Sequence, residues 1–384
     1  MKGPLDGVTV LDLSAVGPGS RCTAALRDLG AAVTKVGAPR ARLRPEPRFF
    51  AYGGDREMRR IRIDVQAPQG REAFLRLAAR SDVVVESFRP GVADRLGIGY
   101  QDVRIPNPAA IYCAITGYGQ TGPYAAHVGH DLNYLGVGGF LSTQGRRADG
   151  GPAIPGATIA DSAAGGLHAA LAITAALLQR ASTGEGTYLD VATADGVVQL
   201  MSLFVDEYLA TGIEVGPASA LLTGGYACYD IYRAADGRWL AVGAIEPVFF
   251  ANLCRALGQP ELVADQYEMV KQDALRAALA SAFARRPRDE WVRELAPLET
   301  CVSPVLTVSE VTEAEQFEAR QLFTRAVHPD AGEFRQVGPA IAGAARPPEP
   351  VQLPGRVTHT VAVLGEAGFT ETEIEDLRTA GVVE

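Results

Sequence analysis

Hydrophobic positions cluster at residues 8–13 and stop at Gly17-Pro18-Gly19, then recur with helical spacing over 20–29 up to Gly30 and as a strand at 32–36. Strand, glycine-bearing turn, helix and strand make a βαβ unit, which demands a parallel sheet and a right-handed crossover. Further along, 61–65 reads as a short strand, 68–80 as an amphipathic helix and 82–86 as a buried strand. Residues 88–92 are a turn opening into a helix that ends near Leu96-Gly97, and 109–115 is another strand. Residues 165–180 form an alanine-rich buried helix, 188–192 a strand and 194–208 an apolar helix.

Beyond residue 208 the pattern changes. Residues 210–223 lack periodicity, as expected of a crossing between domains. Alternating stretches at 229–232 and 238–242 flank Ala235-Asp236-Gly237, a hairpin signal. A helix at 248–257 and mostly helical sequence over 260–320 follow, with one strand at 301–305. Residues 328–354, rich in proline and glycine, read as a traversing linker, and 371–379 as a last helix. The pattern predicts a large α/β domain over 1–208, completed by 329–384, with a linker at 209–222. A small α+β domain spans 223–320, and 321–384 is the linker and return to the large domain.

Composition narrows the class. The 384 residues are 47% hydrophobic and 21% charged, an ordinary globular balance. A net charge of −9 leaves no basic surplus for nonspecific nucleic-acid binding. Five scattered cysteines without CxxC spacing argue for reduced thiols and against a disulfide framework or a zinc site. The N-terminus has no signal-peptide core, and the longest apolar run, 167–178, is interrupted by His168 and Thr174 and is too short to span a bilayer. The expectation is a soluble cytoplasmic protein with no nucleic-acid or membrane partner.

The candidate chemistry lies in Gly129-His130-Asp131-Leu132-Asn133-Tyr134 and in Ala160-Asp161. An imidazole and a carboxylate facing each other can move a proton on and off carbon. Asp161 stands where a helix begins, and helix amides there are expected to keep it ionised. Asp131 either orients His130 or caps the next helix. The turn at Gly17-Pro18 fits a ligand-binding loop and a purely structural turn equally. An arginine-rich stretch (Arg40, Arg42, Arg44, Arg48, Arg56, Arg59, Arg60 and Arg62) is either a solvated loop or a cradle for a polyanion. Gly119 lies in a glycine-dense loop that permits close approach of backbone to ligand. Arg89 either binds ligand or braces its turn.

Taken together, these motifs resemble the class III CoA-transferase (CaiB/BaiF) superfamily, and within it the α-methylacyl-CoA racemase branch. The resemblance covers most of the chain. It rests on Gly17-Pro18-Gly19, on Glu86-Ser87-Phe88-Arg89-Pro90-Gly91-Val92, on the loop from Thr116 to Pro123, on the His130 and Asp161 motifs, on Ala241 to Pro247, and on Cys301 to Val305. It implies a large Rossmann-like parallel-sheet domain with a smaller α+β domain, an interlocked homodimer, and an acyl-CoA thioester bound between the domains. His130 and Asp161 correspond to the family's base pair, Glu246 to a carboxylate contacting the histidine, and Tyr229 to a tyrosine lining the site.

CoA contacts are expected from Gly17, Pro18, Arg40, Arg59, Arg60, Arg89 and Gly119, with no cofactor beyond the coenzyme A of the substrate and no metal. The implied reaction inverts a 2-methylacyl-CoA through an enolate, held by amides at 136–139 or at the start of the Asp161 helix. Two features depart from the pattern: Ala157 stands where similar racemases carry asparagine, and Gly37-Ala38-Pro39 lacks a charged residue. Ala157 favours the alternative, a CoA transferase in which Asp161 is the acyl-carrying nucleophile. A third reading is a non-catalytic acyl-CoA-binding protein.

Overall fold

The computed structural model of the protein describes residues 3–39, 56–341, 349–353, 355 and 357–384. The first alternation folds as the βαβ unit its pattern demands: β1 (Thr9–Asp12), α1 (Pro18–Asp28) and β2 (Ala32–Gly37). After β3 (Arg59–Arg62) and α2 (Pro68–Ala78) comes β4 (Val83–Glu86), buried along its whole length as a central parallel strand should be. The short helices α3 (Val92–Leu96) and α4 (Tyr100–Arg104) lead to β5 (Ile111–Thr116), and α5 (Asp131–Val137) follows. A π-helical segment, Ala160–Leu167, runs into α6 (His168–Thr183), and β6 (Tyr188–Ala192) and α7 (Thr193–Leu200) complete the series.

The six strands lie in the order β3-β2-β1-β4-β5-β6, all parallel. The order reverses between β1 and β4, and in doubly wound sheets ligands bind beyond the C-terminal ends of the strands at such a switch point. The turns carrying Gly17-Pro18 and Phe88-Arg89 leave those two strand ends. One face of the sheet packs on α1 and α6 through Cys22, Leu26, Val83, Val85 and Ile173. The other packs on α2 and the chain's C-terminal segment through Phe74, Val84, Val363, Leu364 and Ile374.

Asp12, fully buried at the end of β1, fixes the first turn. Its carboxylate accepts the Ser14 N–H (2.7 Å) and hydroxyl (2.5 Å), the Thr23 hydroxyl (2.6 Å) and the Lys35 ammonium (2.8 Å). Four donors on one buried carboxylate satisfy the charge that burial would otherwise penalise.

The described chain divides into two compact units: Met1–Gly138, Pro155–Met201 and Glu315–Glu384 form one, and Gly139–Ile154 with Ser202–Ala314 the other. The second unit holds α8 (Ser202–Thr211), an antiparallel sheet of β7 (Tyr229–Arg233), β8 (Trp239–Gly243) and β9 (Val302–Pro304), and helices α9 (Pro247–Ala256), α10 (Gln272–Phe283) and α11 (Arg288–Leu295). Phe250, Leu253, Leu279, Phe283 and Trp291 form its core. The boundaries differ from the sequence reading, which gave everything up to residue 208 to the large domain. Gly139, at φ 83°, turns the chain out after α5, and the excursion closes on itself through the Arg146–Pro152 bridge. Such a departure leaves no mark on local periodicity.

Two further expectations are corrected. The segment read as a linker over 328–354 contains paired strands. β10 (Phe323–His328) and β11 (Gly332–Val337) form an antiparallel hairpin, and β12 (Val351–Gln352) runs parallel to β10. Its glycine sits at the tight turn, so the glycine and proline content marks turns between short strands rather than their absence. The helix containing residues 167–178 is also longer than its apolar run. From Ala160 to Thr183 it has 24 residues, long and apolar enough by length and composition to cross a membrane. Ala169, Ala170, Ile173 and Ala176 of that helix belong to the core between sheet and α1. The last two helices are α12 (Thr360–Glu366) and α13 (Glu371–Thr379).

Candidate active site

The site is assembled where the β1–α1 turn meets the π-helical start of the long helix. Two glycines bring them together. A Cβ on Gly165 would stand 2.6 Å from Pro18 Cβ, and one on Gly166 2.5 Å from Arg21 Cβ, so neither position accepts a side chain without displacing α1. Gly17 takes φ 72°, a conformation open to glycine, and the position of its missing Cβ is 3.5 Å from Asp161 Oδ2. The carboxyl of Asp161 therefore rests directly over the backbone of the Gly17-Pro18 turn.

His130 is the N-cap of α5 and is exposed. Its backbone N–H donates to Asn133 Oδ1 (3.0 Å) and its carbonyl accepts the Asn133 N–H (2.8 Å). Capping is thus done by Asn133, and the imidazole is not spent on the helix end. Tyr134 holds the motif in place: its hydroxyl donates to the Gly129 carbonyl at 2.6 Å, and its ring packs against Gly117 and Gly129. Burial, followed by the charge of Asp161, pushes the Tyr134 phenol up to about 12.

Asp131 reaches beyond its own helix. It stands in the first turn of α5, and its Oδ1 accepts the backbone N–H of Asp161 at 2.9 Å, tying the two motifs together across thirty positions. This changes the electrostatics expected of Asp161. Instead of being held ionised by helix amides, the half-buried Asp161 carboxyl is pushed above the usual carboxylate range. Burial is the largest cause and the negative charge of Asp131 the next, while His130 and Arg21 pull the other way. The first amides of this helix are engaged elsewhere, Asp161 N–H on Asp131 and Ser162 N–H on the Thr158 carbonyl. The amides expected to hold an enolate are likewise committed at Asp161 and at Gly138, which donates to the Tyr134 carbonyl at 2.9 Å. Arg21, which the sequence reading missed, donates to the Thr158 hydroxyl at 3.2 Å. The Gly165-Gly166 pair was the available signal that something on α1 comes this close.

His130, Asp131, Asp161, Gly17 and Pro18 thus share one corner of the first unit. Tyr229 and Glu246 belong to the second. Tyr229 opens β7 and packs near Gly243, and Glu246 is the exposed residue before Pro247 at the start of α9, where its charge raises the Tyr267 phenol and Cys301 thiol after burial does. The arginines separate. Arg40, Arg42, Arg44 and Arg48 lie outside the described residues. Arg56 is buried and donates to Gln336, Val337 and Asp28. Arg59 pairs with Glu366 at 2.5 Å, and Arg60 donates to the Gly355 carbonyl at 3.4 Å. Gly119 takes φ 84° beside Ala192 and Asp190, and Arg89 lines a cleft with Glu86.

Comparison with known proteins identifies the family. A family model described as CoA-transferase family III matches residues 5–355. The human α-methylacyl-CoA racemase is 33% identical over 381 residues, covering 99% of this chain and 97% of that protein. The mouse succinyl-CoA:glutarate CoA-transferase is 31% identical over 404 residues, covering 99% and 90%. Among solved structures, a CaiB/BaiF family protein from Brucella suis superposes with a TM-score of 0.78 at 29% identity, covering 96% of this chain and all of that one.

Proposed function

Because the chain belongs to CoA-transferase family III, a family with racemases and CoA-transferases among the proteins it is similar to, we propose that it is an acyl-CoA racemase or epimerase acting on the 2-methyl centre of a 2-methylacyl-CoA. In one direction neutral His130 removes the α-proton, the electrons move into the thioester as an enolate, and protonated Asp161 delivers a proton to the opposite face. The roles exchange for the other enantiomer. The thioester's coenzyme A is part of the substrate, and the scheme draws on no metal or redox cofactor.

The observation that carries this reading is the upward push on Asp161. A carboxyl destabilised as an anion by burial and by Asp131 gives ready access to its protonated form, which a proton donor needs. The charge of His130 acts in the opposite sense, so gain of a proton by one base favours its loss from the other. The roles of Glu246 in steadying the imidazole and of Tyr229 in lining the site rest on the resemblance, as do CoA contacts from Arg40, Arg59, Arg60, Arg89 and Gly119.

The test is incubation with (2R)-2-methylacyl-CoA in D₂O, following α-deuterium by mass and configuration by chiral analysis. Deuterium uptake with loss of configuration, altered in His130→Ala and Asp161→Ala, is the expected result. Absence of exchange would overturn it.

A second reading is favoured by Ala157 and by the likeness to a CoA-transferase. Here an Asp161 oxygen attacks the thioester carbonyl, the C–S bond breaks, CoA leaves as the thiolate and a mixed anhydride remains. Trapping with hydroxylamine would mark Asp161 in that case and in no other.

The same reading includes a homodimer of interlocked chains. It is supported by Leu167, Leu171 and Leu178, which are 57%, 67% and 77% exposed in a row along the long helix, an apolar stripe of the kind that subunits cover. Light scattering of wild type and of Leu171→Glu measures it.

A further inference from the structure

Side chains on a strand alternate between the two faces of a sheet. On β4, Val83 and Val85 point to the α1 and α6 side, the side on which Asp161 lies, whereas Val84 points to the opposite core with Phe74 and Tyr112. Glu86 takes the side of Val84. On β6, Leu189 and Val191 pack on the α1 side, which sends Tyr188 and Asp190 to the side of Glu86. There the structure has a cleft of about 240 Å³ lined by Glu86, Arg89, Asp94, Tyr100, Tyr112 and Tyr188.

Three features of this cleft point to a ligand. Tyr100, Tyr112 and Tyr188 form a cluster with ring centroids 5.3–6.1 Å apart. Glu86 lines the cleft although only 4% exposed. Its Oε2 accepts the Phe88 N–H at 2.6 Å, and among the described residues its Oε1 has no hydrogen-bond partner. Finally, the charges that act on it are negative: Asp94 from α3 and Asp190 from β6, the latter holding the Gln120 N–H at 3.0 Å. Arg89 is the one cation in the lining, and it is exposed. Aromatic faces beside desolvated carboxyls are what binds organic cations.

We infer that this cleft is a second ligand site, on the face of the sheet opposite Asp161, and that it takes a small organic ammonium ion. The ammonium charge meets Glu86, with Asp94 and Asp190 reinforcing the negative field, its alkyl groups lie against the tyrosine rings, and Arg89 swings into solvent. The inference is independent of the proton transfer proposed at Asp161, but it shares Arg89 with the proposed CoA contacts, so the titration is run without acyl-CoA.

Calorimetric titration of tetramethylammonium and n-butylammonium chloride into the protein, with sodium chloride holding ionic strength constant, tests it. Saturable binding is expected at pH 8. The groups facing Glu86 are Asp94, Asp190, Arg89 and the three tyrosines, with the Cys113 thiol on the other face of the sheet, and of all these Glu86 alone is pushed to about 7. Affinity should therefore fall about tenfold at pH 6, where its carboxyl is mostly protonated. Binding should be lost in Glu86→Gln and in Tyr188→Ala, kept in Tyr188→Phe, and unchanged in Asp161→Asn. No saturable binding by wild type at pH 8, retention in either Glu86→Gln or Tyr188→Ala, or loss in Asp161→Asn overturns the site. Thermal melts of each variant separate loss of binding from loss of fold: Tyr188→Phe keeping the fold but losing the cation would also count against it.

Discussion

Asp161 and Glu86 stand near the C-terminal ends of strands in one parallel sheet, on opposite faces, and both carboxyls are pushed above the ordinary range by burial. Their surroundings differ. Asp161 is half-buried, with a second carboxylate and two cationic groups acting on it: Asp131 raises it while His130 and Arg21 lower it. Glu86 is almost wholly buried, Asp94 and Asp190 reinforce the upward push, and the Phe88 amide alone offsets it. A carboxyl balanced between opposing charges can change protonation state when one neighbour does. A carboxyl whose charged neighbours are all negative, pushed up to about 7, lacks a counter-charge of its own and gains from a cation that arrives from outside. The same shift in the same fold can therefore serve chemistry in one place and recognition in the other.

This contrast can be attacked directly. Asp161→Asn removes the proton-carrying group while preserving shape, and α-proton exchange should fall by about 10²–10⁴-fold, the range for loss of a general acid or base. Unchanged exchange would remove Asp161 from the chemistry.

Glu86→Gln should leave a different signature, in stability rather than rate. In the unfolded chain this carboxyl titrates near its ordinary 4.5, and in the folded protein near 7. Between those values the native state binds more protons, so wild-type stability falls as pH rises from 4.5 to 7 and then levels off. The loss across that window is about 3 kcal/mol at 1.36 kcal/mol per unit. The glutamine variant should lack this slope in denaturant titrations, and an identical slope would refute the assignment.

A smaller effect is expected from Gly166→Ala. Its methyl would meet Arg21 Cβ at 2.5 Å and the Asp161 carbonyl at 3.0 Å, so the variant should lose about 1–3 kcal/mol by overpacking, read as a lower Tm. The finest probe is Asp131→Asn. It keeps an oxygen for the Asp161 N–H but removes the negative charge that raises Asp161, so the limb of the pH–rate profile belonging to Asp161 should move to lower pH. A limb that stays put would leave burial as the sole cause.

Much of this was legible in the sequence because its causes are local. Val83–Glu86 reads as a buried strand, Gly17-Pro18-Gly19 as a turn and Ala160-Asp161 as a helix start, since turn chemistry and apolar runs act over a few residues. His130 and Asp161 were found through the motif they occupy. The bond from the Asp161 amide to Asp131 was not, because thirty residues separate its ends and nothing in either segment encodes the approach. The tyrosine cleft escaped for the same reason. Tyr100, Tyr112 and Tyr188 come from α4, β5 and β6, and only the strand register Tyr112↔Tyr188 makes them neighbours. The hairpin of β10 and β11 was lost because strands of six residues joined by a tight turn look, in composition, like a loop.

The core on the α2 side of the sheet has a consequence for how the protein is made. Ile61, Ile63 and Phe74 share it with Val363, Leu364, Ile374, Val382 and Val383, and Ile63 bridges Val383 directly. About 300 residues separate the two halves, so at roughly 5–20 residues per second the growing chain carries an incompletely covered apolar sheet face for on the order of 15–60 s. Transiently exposed apolar surface of this kind is aggregation-prone. A stop codon just upstream of residue 360 would yield a product that never escapes that condition, although every residue of the His130–Asp161 corner would be present in it.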